Sequence, residues 1–144
     1  MRVLIDADGC PVVRLCVHIA REYGIESIIF CDSAHIFNID GVKTVTVSTG
    51  ADSVDFYLVN QLQADDIVIT QDYGLAAMCL GKGARALNQN GMVYEAGNID
   101  ALLFSRYSAK KARMAGERLR GPKKRSSAED AAFEAALRKM LCKQ

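Results

Sequence analysis

Short apolar runs that end in acids alternate, from the first residue onward, with segments of helical periodicity, and this alternation leaves few folds open. Val3-Leu4-Ile5 precedes Asp6-Ala7-Asp8, Ser27-Ile28-Ile29-Phe30 precedes Asp32, and Thr44-Val45-Thr46-Val47 precedes Asp52 and Asp55. Ile67-Val68-Ile69-Thr70 precedes Asp72. Apolar strands separated by amphipathic helices specify an α/β fold with a mainly parallel sheet. In such a sheet ligands bind outside the carboxyl ends of the strands, where these acids stand. Carboxylates gathered there repel one another, so a metal ion or raised pKa values must offset the repulsion.

The spacing predicts strands over 2–6, 27–31, 43–48, 66–70 and 84–87, with helices over 11–23, about 52–63 and 73–81 between them. Pro11 suits a first helical turn, which needs no N–H there. Val12, Leu15, Cys16 and Ile19 recur at helical spacing, and Gly24 supplies the stop. Beyond Asn98 the pattern turns helical to about 119, with Leu102, Leu103, Tyr107 and Ala109 as inner candidates. Gly121-Pro122-Lys123-Lys124-Arg125 breaks it, and Ser126 with Glu129 fits a capping box for a last helix over 127–141. At 144 residues the chain suits a single domain over 1–144.

Charge divides that domain in two. Residues 1–105 carry 6 Lys/Arg against 13 Asp/Glu, and residues 106–144 carry 12 against 4. An acidic α/β body with a basic helical C-terminal extension suits a polyanion held by the extension and processed at the acids. It equally suits an extension that docks on the body itself. No apolar run approaches the ~18 residues of a membrane helix and no signal peptide is legible, so no membrane partner and a cytoplasmic location are expected. Five cysteines without a CxxC pair are expected to be reduced thiols. Oligomeric state stays open, a homodimer included.

Asp6 and Asp8 are expected to face the cleft, with Asp6 held more firmly by its strand. Asp52 and Asp55 stand three apart at a helix start and share a face. Asp52 and Asp72 also fit an ordinary helix-capping or first-turn role. Carboxylate oxygens are hard ligands suited to Mg²⁺ or Mn²⁺, which makes Asp6, Asp8, Asp52, Asp55 and Asp72 the candidate metal ligands. Such a metal orients phosphate and helps generate the attacking hydroxide. Thr70 and Ser53 bring hydroxyls beside the acids, to orient water or to cap helices. Cys10 follows the first acidic pair and is a candidate reactive thiol, and His35 lies near enough in sequence to touch phosphate. Candidate phosphate contacts are Lys110, Lys111, Arg113, Arg118, Arg120, Lys123, Lys124 and Arg125. Tyr107 is the sole aromatic among them, which favours backbone recognition over base stacking.

Three stretches carry a resemblance. Asp6-Ala7-Asp8-Gly9-Cys10-Pro11-Val12, Gly50-Ala51-Asp52-Ser53-Val54-Asp55 and Ile69-Thr70-Gln71-Asp72-Tyr73-Gly74-Leu75-Ala76 are similar to the signatures of the YaiI/YqxD family of bacterial proteins, for which a PIN-like fold is expected. The resemblance implies a three-layer α/β/α sandwich with a central parallel sheet of about five strands. It also implies a Mg²⁺- or Mn²⁺-dependent ribonuclease, with Asp6, Asp55 and Asp72 as the catalytic acids. Two departures from the PIN pattern stand out. Gly74 occupies a position where many such nucleases have another acid, and the acid usual on the second helix has no evident counterpart.

The readings that follow are a metal-dependent nuclease acting on RNA, and a non-catalytic nucleic-acid-binding or regulatory module. A haloacid-dehalogenase-type phosphatase is a third, because Asp6-Ala7-Asp8-Gly9 fits its Asp-x-Asp-Gly start. Its late acidic pair should follow a strand, whereas Asp65-Asp66 precedes one.

Overall fold

The computed structural model describes residues 1–32, 37–48, 53–114, 116 and 124–142, without the side chains of 53, 106, 107, 109 and 113. Its elements run β1 (Arg2–Asp6), α1 (Val13–Glu22), β2 (Glu26–Asp32), β3 (Lys43–Val47), α2 (Ser53–Gln61) and β4 (Ile67–Ile69). There follow α3 (Tyr73–Gly81), β5 (Arg85–Leu87), α4 (Ala96–Met114) and α5 (Ser127–Cys142). The strands form one sheet in the order β3-β2-β1-β4-β5, and every neighbouring pair is parallel.

Side chains alternate across a strand, and that period of two sorts the core into two layers. Val3 and Ile5 of β1, with Ile29, Cys31, Ile67, Ile69 and Leu87, pack against α1 and against Phe133, Leu137 and Leu141 of α5. Leu4, with Ile28, Phe30, Val68 and Ala86, packs against Leu58 of α2 and Leu62 just beyond it, Leu75 and Cys79 of α3, and Ile99 of α4. The result is a three-layer α/β/α sandwich. The two C-terminal helices therefore separate, α4 covering one face of the sheet and α5 the other.

Local sequence accounts for most boundaries. Gly24 takes φ +68° beyond α1. Ser126 and Glu129 close the expected capping box, since Glu129 accepts from the Ser126 N–H and Ser126 Oγ accepts from the Ala128 N–H. Pro11 behaves differently from expectation. The chain first turns through Gly9 (φ +73°), so Val12 is the N-cap and Pro11 lies in the turn before α1. Helix α4 begins at Ala96, earlier than expected, where Asn98 Oδ1 accepts from the Glu95 N–H. Ile99 rather than Leu103 is its buried anchor, with Leu102 partly buried beside it, and α4 packs chiefly on α3. The turn at 88–91 meets α5 closely: a Cβ on Gly91 would stand 2.5 Å from the Ala132 carbonyl oxygen.

At the amino edge of the sheet, Asp66 is 1% exposed. It accepts from the Arg2 guanidinium at 2.7 Å and from the Arg2 and Gln63 backbone N–H groups, while Arg2 also donates to the Gln61 carbonyl. One carboxylate thus joins the start of β1, the end of α2 and the start of β4. Replacing Asp66 with Ala leaves those donors without their acceptor, an expected loss of about 2–4 kcal/mol. Urea denaturation checks this: the midpoint should fall clearly in Asp66→Ala and stay put in Asp65→Ala, whose side chain is exposed.

Candidate functional site

Strand order reverses between β1 and β4, because the chain moves outward through β2 and β3 and then returns to the other side of β1. The crevice outside the carboxyl ends of those two strands is where an open α/β sheet takes ligands. Asp6 closes β1 there, and Thr70 follows β4 beside it. Each lies two residues beyond a member of the α2–α3 core layer, Leu4 and Val68, so both face that layer.

Thr70 is the hub of the site. Buried, it donates its hydroxyl to Asp6 Oδ2 at 2.7 Å and accepts from the Asp72 N–H at 3.0 Å. Its backbone is held as firmly: its N–H donates to the Leu87 carbonyl, and its carbonyl accepts from the buried Tyr94 hydroxyl. Asp72 is the N-cap of α3, where its Oδ1 accepts from the Gly74 and Leu75 N–H groups. The helix-capping role is therefore real, and it also fixes the carboxylate. Gln71 donates to the Gly9 carbonyl at 2.8 Å, tying the loop after β4 to the loop after β1. Asp8 accepts from the Asp32 N–H, which turns the β1 loop towards the end of β2.

Electrostatics show which acids share this space. Burial pushes the Asp6 carboxyl up to about 6, against the Thr70 hydrogen bond and with the charges of Asp8 and Asp72 adding to it. Asp55, half-buried in the first turn of α2, acts on the buried Cys79 thiol together with Asp6. Asp6, Asp8 and Asp72 are brought together, with Asp55 on the side of α2. Burial, the largest effect, raises the Cys10 thiol, which argues against a ready thiolate there. Asp52 and His35 lie outside the described residues, as does the side chain of Ser53.

Among the described residues, no three His, Cys, Asp or Glu side chains form a ready set for a metal ion. Mg²⁺ is ordinarily held by one or two carboxylates, with water and substrate phosphate filling the remaining positions. The donors here are all carboxylate oxygens, and the repulsion that Asp6 bears is what a cation would relieve. The residues fit a hard divalent ion, with Asp6 and Asp72 as the firmest candidates to hold it and Asp8 and Asp55 beside them.

The cations divide as well. Lys110, Lys111 and Lys124 are exposed. Arg125 is committed to the protein: it donates to Asp130 Oδ1, Asn90 Oδ1 and the Gln89 carbonyl. It clasps the start of α5 to the turn beyond β5, and its charge reaches Cys10. Arg118, Arg120 and Lys123 lie outside the described residues, as does the side chain of Arg113. Sequence reasoning passed over Phe56 and Tyr57, two exposed aromatics next to Asp55. Their signal was available, since both fall off the Leu58–Leu62 stripe of α2.

Fold and site together define a doubly wound α/β protein with acids at the carboxyl edge of its switch point. The chain belongs to the YaiI/YqxD family, whose model, described as "Uncharacterized BCR, YaiI/YqxD family", matches residues 4–143. A UPF0178 protein of Exiguobacterium sibiricum is 48% identical over 141 residues, covering 98% of this chain and 96% of its own. A UPF0178 protein of Ruminiclostridium cellulolyticum is 52% identical over 138 residues, covering 95% and 90%. No solved structure matches the chain. No described helix is long and apolar enough to cross a membrane.

The Asp6 environment has a pH consequence. Below the ordinary carboxyl range, folded and unfolded chains both hold the proton. As pH rises from about 4 to 6, the unfolded chain releases it first, so stability falls. A carboxyl moved from 3.8 to about 6 implies a loss on the order of 3 kcal/mol. In chelator, thermal melts of Asp6→Asn should therefore gain on wild type between pH 4 and 7, as the amide can still accept from Thr70. Parallel melting curves across that range would show that Asp6 carries no such burden.

Proposed function

We propose that this protein is a Mg²⁺- or Mn²⁺-dependent nuclease that hydrolyses RNA phosphodiester bonds at the carboxyl end of the β1–β4 seam. The observation that carries the reading is the Thr70 hydroxyl, which holds Asp6 and the Asp72 backbone side by side where a doubly wound sheet takes its ligand. The resemblance of the three acidic motifs, with the PIN-like fold it implies, supports the same activity and the same residues.

Asp6 and Asp72 would hold the ion, with Asp8, Asp52 and Asp55 as further oxygen donors. When bound, Mg²⁺ or Mn²⁺ supplies charge for the scissile phosphate and lowers the pKa of water. The chain's own groups do the positioning. Thr70 donates to Asp6 and favours its ionised form, while the α3 cap fixes the orientation of Asp72. In this reading the exposed Lys110, Lys111 and Lys124 would take backbone phosphates, together with Arg113, Arg118, Arg120 and Lys123 of the basic stretch. Arg125 serves chiefly to anchor it.

A second reading, a module that binds nucleic acid without cleaving it, draws on the lack of a ready three-ligand set among the described residues. Incubation of purified protein with labelled RNA and Mn²⁺ separates the two. Cleavage is expected, reduced at least ~100-fold by Asp6→Asn and by Asp72→Asn, whose amides keep the local hydrogen bonds. Binding without cleavage, or cleavage that survives both substitutions, contradicts the nuclease reading.

A further inference from the structure

The loop that carries Asp8 is a tight turn. Cys10 donates its N–H to the Ala7 carbonyl at 3.0 Å, which makes Asp8 and Gly9 the two central residues. Gly9, at φ +73°, takes the left-handed conformation that the third position of such a turn favours. Four residues closed by a hydrogen bond move as one piece. A grip on the Gly9 peptide therefore also locates Asp8.

Gln71 supplies that grip from the opposite loop. Its amide donates to the Gly9 carbonyl at 2.8 Å, across a sequence separation of 62 residues. Gln71 is itself held on both sides. The Thr70 N–H donates to the Leu87 carbonyl, and Asp72 caps α3. The bond thus sets the spacing between the Asp8 turn and the segment that carries Asp72.

That spacing is opposed by charge. The Asp8 and Asp72 carboxylates both bear on Asp6, and like charges at one edge push apart. Asp8 also accepts from the Asp32 N–H at 3.2 and 3.3 Å, which draws it towards β2. Left to these influences, the turn relaxes away from β4. Relaxation suits the metal-free chain and takes an oxygen donor away from a cation.

Building on the cation site of the nuclease reading, we propose that Gln71 is a positioning residue. Its hydrogen bond to the Gly9 carbonyl holds Asp8 within reach of the ion that Asp6 and Asp72 would carry. The acids repel the turn, and Gln71 retains it.

Titration of the full chain with Mn²⁺, without RNA and followed by the electron paramagnetic resonance signal of the free ion, tests this. Gln71→Ala should weaken binding roughly 10-fold, and so should Gln71→Met, which keeps the length and lacks the donor. Asp8→Asn can still accept from the Asp32 N–H and should weaken binding by a similar factor. Adding Gln71→Ala to it should cost nothing further, because both changes remove the same donor. Gln71 is exposed, so the metal-free Tm should hold or rise, while the rise in Tm caused by Mn²⁺ should shrink. A merely structural role would lower the Tm with and without metal and leave the affinity alone. Unchanged affinity in Gln71→Ala, or losses that add in the double variant, overturn the proposal and leave the cation site standing. Wild type that binds no Mn²⁺ overturns both. Binding is read without RNA, so missing turnover counts against the nuclease reading alone.

Discussion

The seam between β1 and β4 holds the molecule together, and side chains lock it at both ends. Backbone pairing sets Val3 opposite Ile67 and Ile5 opposite Ile69. Arg2 with Asp66 continues that register at the amino edge, and Asp6 with Thr70 continues it at the carboxyl edge, each pair 64 residues apart in sequence. A parallel pairing over such a separation is entropically costly to close and cannot be stabilised by any local turn. Buried apolar residues hold its middle. The polar pairs fix its register, because a slip of one residue would strand the buried Asp66 at one edge and the buried Thr70 hydroxyl at the other.

That lock also shapes the acidic edge. Strand order reverses at this seam, the place where open α/β sheets take ligands, and the register brings Asp6 and Thr70 together there. Thr70 then recruits the start of α3 through the Asp72 N–H, and Asp72 caps that helix. Structural necessity and acid clustering are the same set of hydrogen bonds. The cost is visible at Asp6, which burial and the charges of Asp8 and Asp72 hold well above the ordinary carboxyl range. For stability alone this acid is a burden at neutral pH, and under the proposed function a bound cation would offset it.

Much of this was legible in the chain because strand and helix periods are local. The five strands, the helix stop at Gly24 and the Ser126–Glu129 capping box follow from a few neighbouring residues each. Counting strand ends also placed Asp6, Asp55 and Asp72 at one edge. What escaped were roles set by distant partners. Asp66 reads as a loop acid beside Asp65, yet Arg2 makes it a buried staple. Arg125 reads as one more cation of a basic run, yet the turn at 88–91 and Asp130 consume its guanidinium.

The central claim is that the carboxyl end of the β1–β4 seam is a divalent-cation site. Anomalous-difference density from crystals grown with Mn²⁺ measures it directly. A peak bound by the Asp6 and Asp72 carboxylates, lost in Asp6→Asn, is the expected result. Saturating Mn²⁺ that leaves no peak at that edge, with Asp6 still paired only to Thr70, would contradict it.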